Sequence, residues 1–413
     1  MEQEQRLGAE ASQPELEQRK GDDHDDHDDK PNTEVEEKKD KDADVEEGEE
    51  EEEEELPVVD VPQTRKEGKA GVRFQLVSDL HLEFPGCLDK LPHIPVNAPI
   101  LCLLGDIGYP NKANYRAYLL EQADRFEHVL VVAGNHEYYN QESVQHADRL
   151  IDEICAERDN LHYLNKRSVR VGDVLFLGCT LWPYIPPEAI EKVWMRCNDY
   201  KIVVEGKALE HETTSGGLMS LMSLVYKNVT EAVKSGPPPA KSEDDARKNE
   251  GENAEAGAAE KEYHQLTPHE TNLWHEQHVD WLVQEIERVK EANERTAGVD
   301  GEKVKVVVLT HHAPSKFRCI HPEAAGIEEI CYDDLEWMME DPVVVWGFGH
   351  THWSSDNIIN STRVVSNQCG YITTAPDGKG SNYFDPAMVV DVHESLELIK
   401  STPTTEERNC LLM

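Results

Sequence analysis

Five apolar runs, four to six residues long, punctuate the chain at residues 72–77, 100–104, 129–132, 304–309 and 343–346. Runs this short and this rich in Val, Ile and Leu predict strands buried on both faces. A sixth, at residues 174–177, fits the same description. Between them the apolar period changes from strand-like to helical. Ser143 precedes Val144, Ala147, Leu150, Ile151 and Ile154 on one helical face, and Thr267-Pro268-His269-Glu270 forms a capping box with proline at the first helical position. Trp274, Trp281, Leu282, Ile286 and Val289 continue that second helix toward the strand at 304–309. Alternating strands and helices without an internal repeat predict one α/β domain.

Each of the five runs ends in a short polar segment. In order these are Asp79-Leu80-His81, Gly105-Asp106, Gly134-Asn135-His136-Glu137, His311-His312 and Gly349-His350-Thr351-His352. Residues just past the carboxyl ends of strands line the ligand crevice of an α/β sheet. Carboxylates, an amide and imidazoles gathered there without a thiolate suit Mn, Fe or Zn, and one shared carboxylate could join two ions.

The five segments, in this order, resemble the signature of the calcineurin-like metallophosphoesterases over about residues 72–392. The resemblance implies an α/β four-layer sandwich, with two mixed β-sheets flanked by helices and the metal site at strand carboxyl ends. It also implies that Asp79, His81 and His352 hold one ion, that Asn135, His311 and His350 hold the other, and that Asp106 bridges them. His136 would stand beside the phosphate as general acid. The family's His-x-x-Pro spacing to Pro314 favours His311 over His312 as the ligand. Glu137 either orients an imidazole or caps the next turn, and His275 or His278 could reach the cleft.

Two ions about 4 Å apart would acidify a water between them, neutralise phosphoryl oxygens and hold the attacking and leaving oxygens in line. The activity implied is hydrolysis of a small phosphomonoester or phosphodiester. A nucleotide or cyclic-nucleotide phosphodiesterase is one alternative, and a non-catalytic scaffold of the same fold is another. Ile107-Gly108-Tyr109-Pro110 replaces the Asp-Arg-Gly of the Ser/Thr protein phosphatases. His81 fills a position that lacks histidine in purple acid phosphatases, so Tyr109 is read as a loop residue rather than an iron ligand. The phrases Gly178-Cys179-Thr180-Leu181-Trp182, Asn198-Asp199-Tyr200 and Val364-Val365-Ser366-Asn367 resemble an uncharacterised branch and suggest no chemistry of their own. Specificity would come from loops around Tyr138-Tyr139, Trp182-Pro183-Tyr184 and Lys316-Phe317-Arg318, where Lys316 and Arg318 offer charge to a second anionic group.

Composition bounds the rest. Of the 413 residues 38% are hydrophobic, enough for a core once the tails are set aside. Residues 1–56 hold 26 acidic against 7 basic residues, a large part of the net charge of −42. Such a segment buries too little apolar surface to offset its ordering entropy, so residues 1–70 are read as a disordered acidic tail. The tail offers loose cation binding at residues 22–29 and contact with basic partners at 46–55. The same acidity disfavours a grip on nucleic acid, which requires clustered Lys and Arg.

The metallophosphoesterase domain is placed at 71–395, with a disordered insertion at 235–262. A tail at 396–413 ends in Cys410-Leu411-Leu412-Met413, a lipidation box that would attach a prenyl chain to Cys410. One lipid gives weak, reversible membrane association. Nine cysteines without a Cys-x-x-Cys pair, and a polar start, predict a reducing, cytoplasmic setting, partly membrane-associated if the lipid is added. No stretch approaches the eighteen or so apolar residues that a membrane span requires.

Overall fold

A computed structural model describes residues 59–61, 71–206, 263–296, 303–321, 328–373 and 383–402. The strands in its first half are β1 (Val59–Val61), β2 (Arg73–Val77), β3 (Ile100–Leu104), β4 (His128–Val132), β5 (Leu161–Tyr163), β6 (Arg167–Val171) and β7 (Val174–Cys179). They continue with β8 (Val204–Gly206), β9 (Tyr263–Gln265), β10 (Lys305–Thr310), β11 (Val343–Phe348), β12 (Ser355–Ile359), β13 (Thr362–Ser366) and β14 (Val390–Asp391). All six apolar runs are strands.

Two mixed sheets result. One has the order β14-β2-β3-β4-β5 and the other β1-β6-β7-β10-β11-β13-β12. β2 to β5 run parallel, as do β7, β10, β11 and β13. The antiparallel members β14, β6 and β12 make both sheets mixed.

Alternation along each strand sorts its side chains into layers. Ile100, Cys102 and Leu104 of β3 meet Val307 and Leu309 of β10 in a core between the sheets. Phe74 and Phe176 bridge the same gap edge to face, with ring centroids 5.6 Å apart. The intervening residues face outward. Leu101 and Leu103 pack with Tyr115, Leu119, Ile151 and Ile154 of the helices Ala113–Arg125 and Val144–Cys155. Val306 and Val308 pack with Leu282, Ile286 and Val289 of the helix Pro268–Arg295. The result is helix, sheet, sheet, helix, and each buried Val, Leu or Ile contributes about 1.5–3 kcal/mol.

Both predicted caps form. Ser143 accepts from His146 N, and Thr267 and Glu270 satisfy each other's backbone amides. No helix among the described residues is long and apolar enough to cross a membrane.

Both ends of the domain differ from the boundaries read in the sequence. Val59–Val61, inside the stretch read as tail, pairs in parallel with β6 as an edge strand. The helix Val392–Ser401 runs across the expected boundary at 395, because Val392, Leu396 and Ile399 pack on the core between the sheets. The insertion 235–262, most of the acidic tail and Cys410 lie outside the described residues.

His275 and His278 are structural. Nδ1 of His275 lies 2.9 Å from Trp182 O and 2.8 Å from Asp333 Oδ2, tying the long helix to two loops. His278 is buried, and burial, assisted by Lys166 and His275, pulls its imidazole down to about 3. Below an ordinary histidine value near 6.5 the unfolded chain takes up a proton that the folded one refuses. Stability contributed by His278 is therefore complete above pH 6.5 and lost progressively as the pH falls toward 3. Urea unfolding of His278→Gln should show a flatter acid slope than the wild type, and identical slopes would refute this.

Candidate metal centre

All five polar segments meet at the carboxyl ends of β2, β3, β4, β10 and β11. The loops after β2 and β3 stay paired beyond the sheet, through Asp79 N to Gly105 O at 3.0 Å, His81 N to Asp106 O at 2.9 Å and Leu82 N to Ile107 O at 2.9 Å. Asp79, His81, Asp106, His350 and His352 all adopt left-handed backbone conformations, with φ from 49° to 68°. Asp and His tolerate that region better than branched residues, and strain of this kind clusters at functional sites. Two glycines make the close approach possible. A Cβ on Gly105 would lie 2.4 Å from His311 Nδ1, and one on Gly134 would lie 2.3 Å from Asp106 Oδ1.

The donors fall into two groups. In the first, His81 Nε2 and His352 Nε2 are 3.1 Å apart, and Asp79 Oδ1 is 3.4 Å from His352 Nε2. In the second, Asn135 Oδ1 lies 3.1 Å from His311 Nε2 and 3.2 Å from His350 Nδ1. Asp106 faces both: Oδ1 is 3.4 Å from His311 Nε2, and Oδ2 is 3.9 Å from His81 Nε2 and 3.8 Å from His136 Nε2. Imidazole nitrogens and carboxylate oxygens this close could hold a metal ion. The hydrogen bonding fits that use. His311 Nδ1–H donates to Leu104 O at 2.8 Å, leaving the Nε2 lone pair for a cation.

His312 also comes close. Its donor atom and those of His311 and His350 all lie within 4.8 Å of one another. Its Nδ1 is tied to Thr180 O at 3.2 Å, and Trp182 packs on its ring. Burial, reinforced by His350 and His311, holds it well below the ordinary histidine value.

Glu83, which the sequence reading passed over, performs the task considered for Glu137. Its Oε1 accepts from His81 Nδ1 at 2.9 Å and from His136 Nδ1 at 2.7 Å, so both rings present Nε2 to the site. The available signal was an acid two residues after the histidine of Asp79-x-His81. Glu137 contacts no imidazole among its hydrogen bonds. It accepts from the backbone amides of Gly134, Asp106 and Ile107 at 2.7, 2.9 and 2.8 Å, clamping the β3 and β4 loops together.

Electrostatics follow from this crowding. Burial raises Glu137 to about 7, assisted by Asp106. Burial would also raise Asp106, but the imidazoles of His136, His311 and His81 hold it below the ordinary carboxylate range. Burial and His311 bring His350 down to about 4. Burial opposes protonation of His136, yet Asp106 and Glu83 lift it to about 9.

The phrases without assigned chemistry support the site. Asn367 donates to Leu76 O and Asp385 O at 2.9 and 2.8 Å, and its own O accepts from Ser78 N, stitching the sheets together beside the donors. Thr180 holds His312, and Asp199 holds Asn135. Of the loops expected to shape specificity, Tyr138, Tyr139 and Trp182 are buried, whereas Tyr184 and Phe317 are exposed. Lys316 is paired with Glu328 at 2.5 Å. An aromatic that the sequence did not suggest, Tyr371, is 37% exposed and stands 4.3 and 4.4 Å from the His81 and His352 rings.

Two mixed sheets flanked by helices, with carboxylates and imidazoles gathered at their strand ends, define an α/β sandwich whose donor groups could hold metal ions. Residues 72–186 match the sequence model of the calcineurin-like phosphoesterase family. An uncharacterised protein of Acanthamoeba polyphaga mimivirus is 22% identical over 342 residues, spanning 78% of this chain and 96% of the viral one. Among solved structures, phosphopantetheinyl hydrolase from Mycobacterium tuberculosis is 16% identical, with a TM-score of 0.39, covering 77% of this chain and 98% of that one. A dimetal phosphatase from Danio rerio is 14% identical, with a TM-score of 0.33, covering 72% and 87%.

Proposed function

We propose that the protein is a two-metal phosphoric ester hydrolase acting on a small phosphomonoester or phosphodiester. The observation that carries this reading is Asp106, whose two oxygens each face a different donor group. Asp79, His81 and His352 would hold one ion and Asn135, His311 and His350 the other, with Asp106 shared. When bound, Mn, Fe or Zn supplies Lewis acidity and an acidified water.

The remaining work belongs to side chains. Glu83 fixes Nδ1 of His136, so Nε2, 3.8 Å from Asp106, faces the reacting region as proton donor to the departing oxygen. Tyr139 stacks on that ring at 4.4 Å and keeps it from rotating.

The test is hydrolysis of p-nitrophenyl phosphate and bis-p-nitrophenyl phosphate by chelator-stripped protein reloaded with Mn, Zn or Fe. Turnover should return with metal, and the ratio of the two rates identifies the ester class. His136→Ala should keep its metal and lose about 10²- to 10⁴-fold in kcat. Absence of turnover with every metal would count against the hydrolase and favour a scaffold.

A further inference from the structure

The buried carboxylate of Asp199 lies 64 positions from Asn135, in a phrase that suggested no chemistry of its own. Its Oδ1 accepts from Asn135 Nδ2 at 2.9 Å and also from the Tyr139 hydroxyl. Its Oδ2 accepts from Cys197 Sγ at 3.1 Å. A phenol and a thiol facing a carboxylate both act as donors, so both bonds run inward to Asp199. A carboxylate oxygen that accepts from the Tyr139 hydroxyl has only acceptor capacity left, so it pairs with the NH₂ end of a neighbouring amide. The Asn135 side chain is thereby left in one orientation, with Oδ1 toward His311 and His350. A bridge between Tyr139 and Val203 clips the Asp199 segment to the turn that carries Asn135 and His136.

We propose that Asp199 is a positioning residue that selects the metal-facing flip of Asn135, so that the second ion meets an amide oxygen rather than an NH₂. The inference rests on the two-metal reading above. An amide presents a ligand on one side and two donors on the other, and a rotation of half a turn would cancel the site's affinity without moving the backbone. Asp199 makes that rotation costly.

The experiment is a calorimetric titration of the metal-free full-length chain with Co(II), with binding rather than activity as the readout. Wild type should take up two ions. Asp199→Ala should bind the first as wild type does and the second about 10- to 100-fold more weakly. Asp199→Asn, which keeps an oxygen facing Asn135 and Tyr139, should recover to within a few-fold of wild type. Wild-type affinity in Asp199→Ala would overturn the proposal, as would an Asp199→Asn variant as weak as the alanine. Equal weakening of both ions would do so too, because it indicates general disruption.

If Asp199→Ala does not fold, Tyr139→Phe decides. It keeps the stacking on His136 but withdraws the hydroxyl, and a few-fold loss confined to the second ion is expected, whereas no change overturns the inference. A wild-type chain that takes up fewer than two ions would instead refute the parent reading, so the two failures are distinguishable.

Discussion

Asp106→Asn is expected to lower metal-dependent turnover of p-nitrophenyl phosphate by about 10³-fold while leaving the fold intact. The substitution is isosteric, and the new amide oxygen can still accept from His136 N, as Asp106 Oδ1 does at 2.9 Å. What disappears is the charge and one of two equivalent oxygens, each of which faces a different group of donors. Metal content and kcat should fall together, with far-ultraviolet circular dichroism unchanged. Turnover within a few-fold of wild type would remove Asp106 from the shared position and with it the main support for two ions.

The largest loss of stability is expected from Glu137→Ala. Four backbone amides from two loops would lose their acceptor inside the protein, since Gly134, Asp106, Ile107 and, more weakly at 3.4 Å, Gly108 all donate to this one carboxylate. An unsatisfied buried amide costs about 1–3 kcal/mol, so a loss on the order of 3–5 kcal/mol is expected in urea unfolding. Glu137→Gln retains one acceptor oxygen and should lose less. A loss under about 1 kcal/mol for the alanine variant would mean that water or a shifted loop replaces the carboxylate.

The layers were legible because their cause is local. A run such as Ile100-Leu101-Cys102-Leu103-Leu104 has apolar side chains on both faces, which only a sheet covered on both sides can bury. The candidate donors were legible as a cluster because each follows such a run within a few residues. The parts that escaped detection act across distance. Asn135 carries no sign that Asp199 holds its amide, and nothing near Glu137 indicates that it will bind backbone rather than imidazole. Glu83 lay within reach of a pattern, but a glutamate after a strand is too common to stand out. The edge strand at residues 59–61 was hidden by the charge of the stretch before it. Three residues supply too short a period to read, and their pairing depends on β6, more than a hundred positions downstream.

That edge strand bears on any attempt to shorten the protein. A chain trimmed at residue 70, on the view that everything earlier is solvating tail, would lose β1 and leave the outer backbone of β6 without its partner. An uncovered sheet edge invites pairing with a second molecule. Trimming near residue 56 instead would retain the guard strand, so the difference between a monodisperse sample and an aggregating one rests on about a dozen residues just before the first motif.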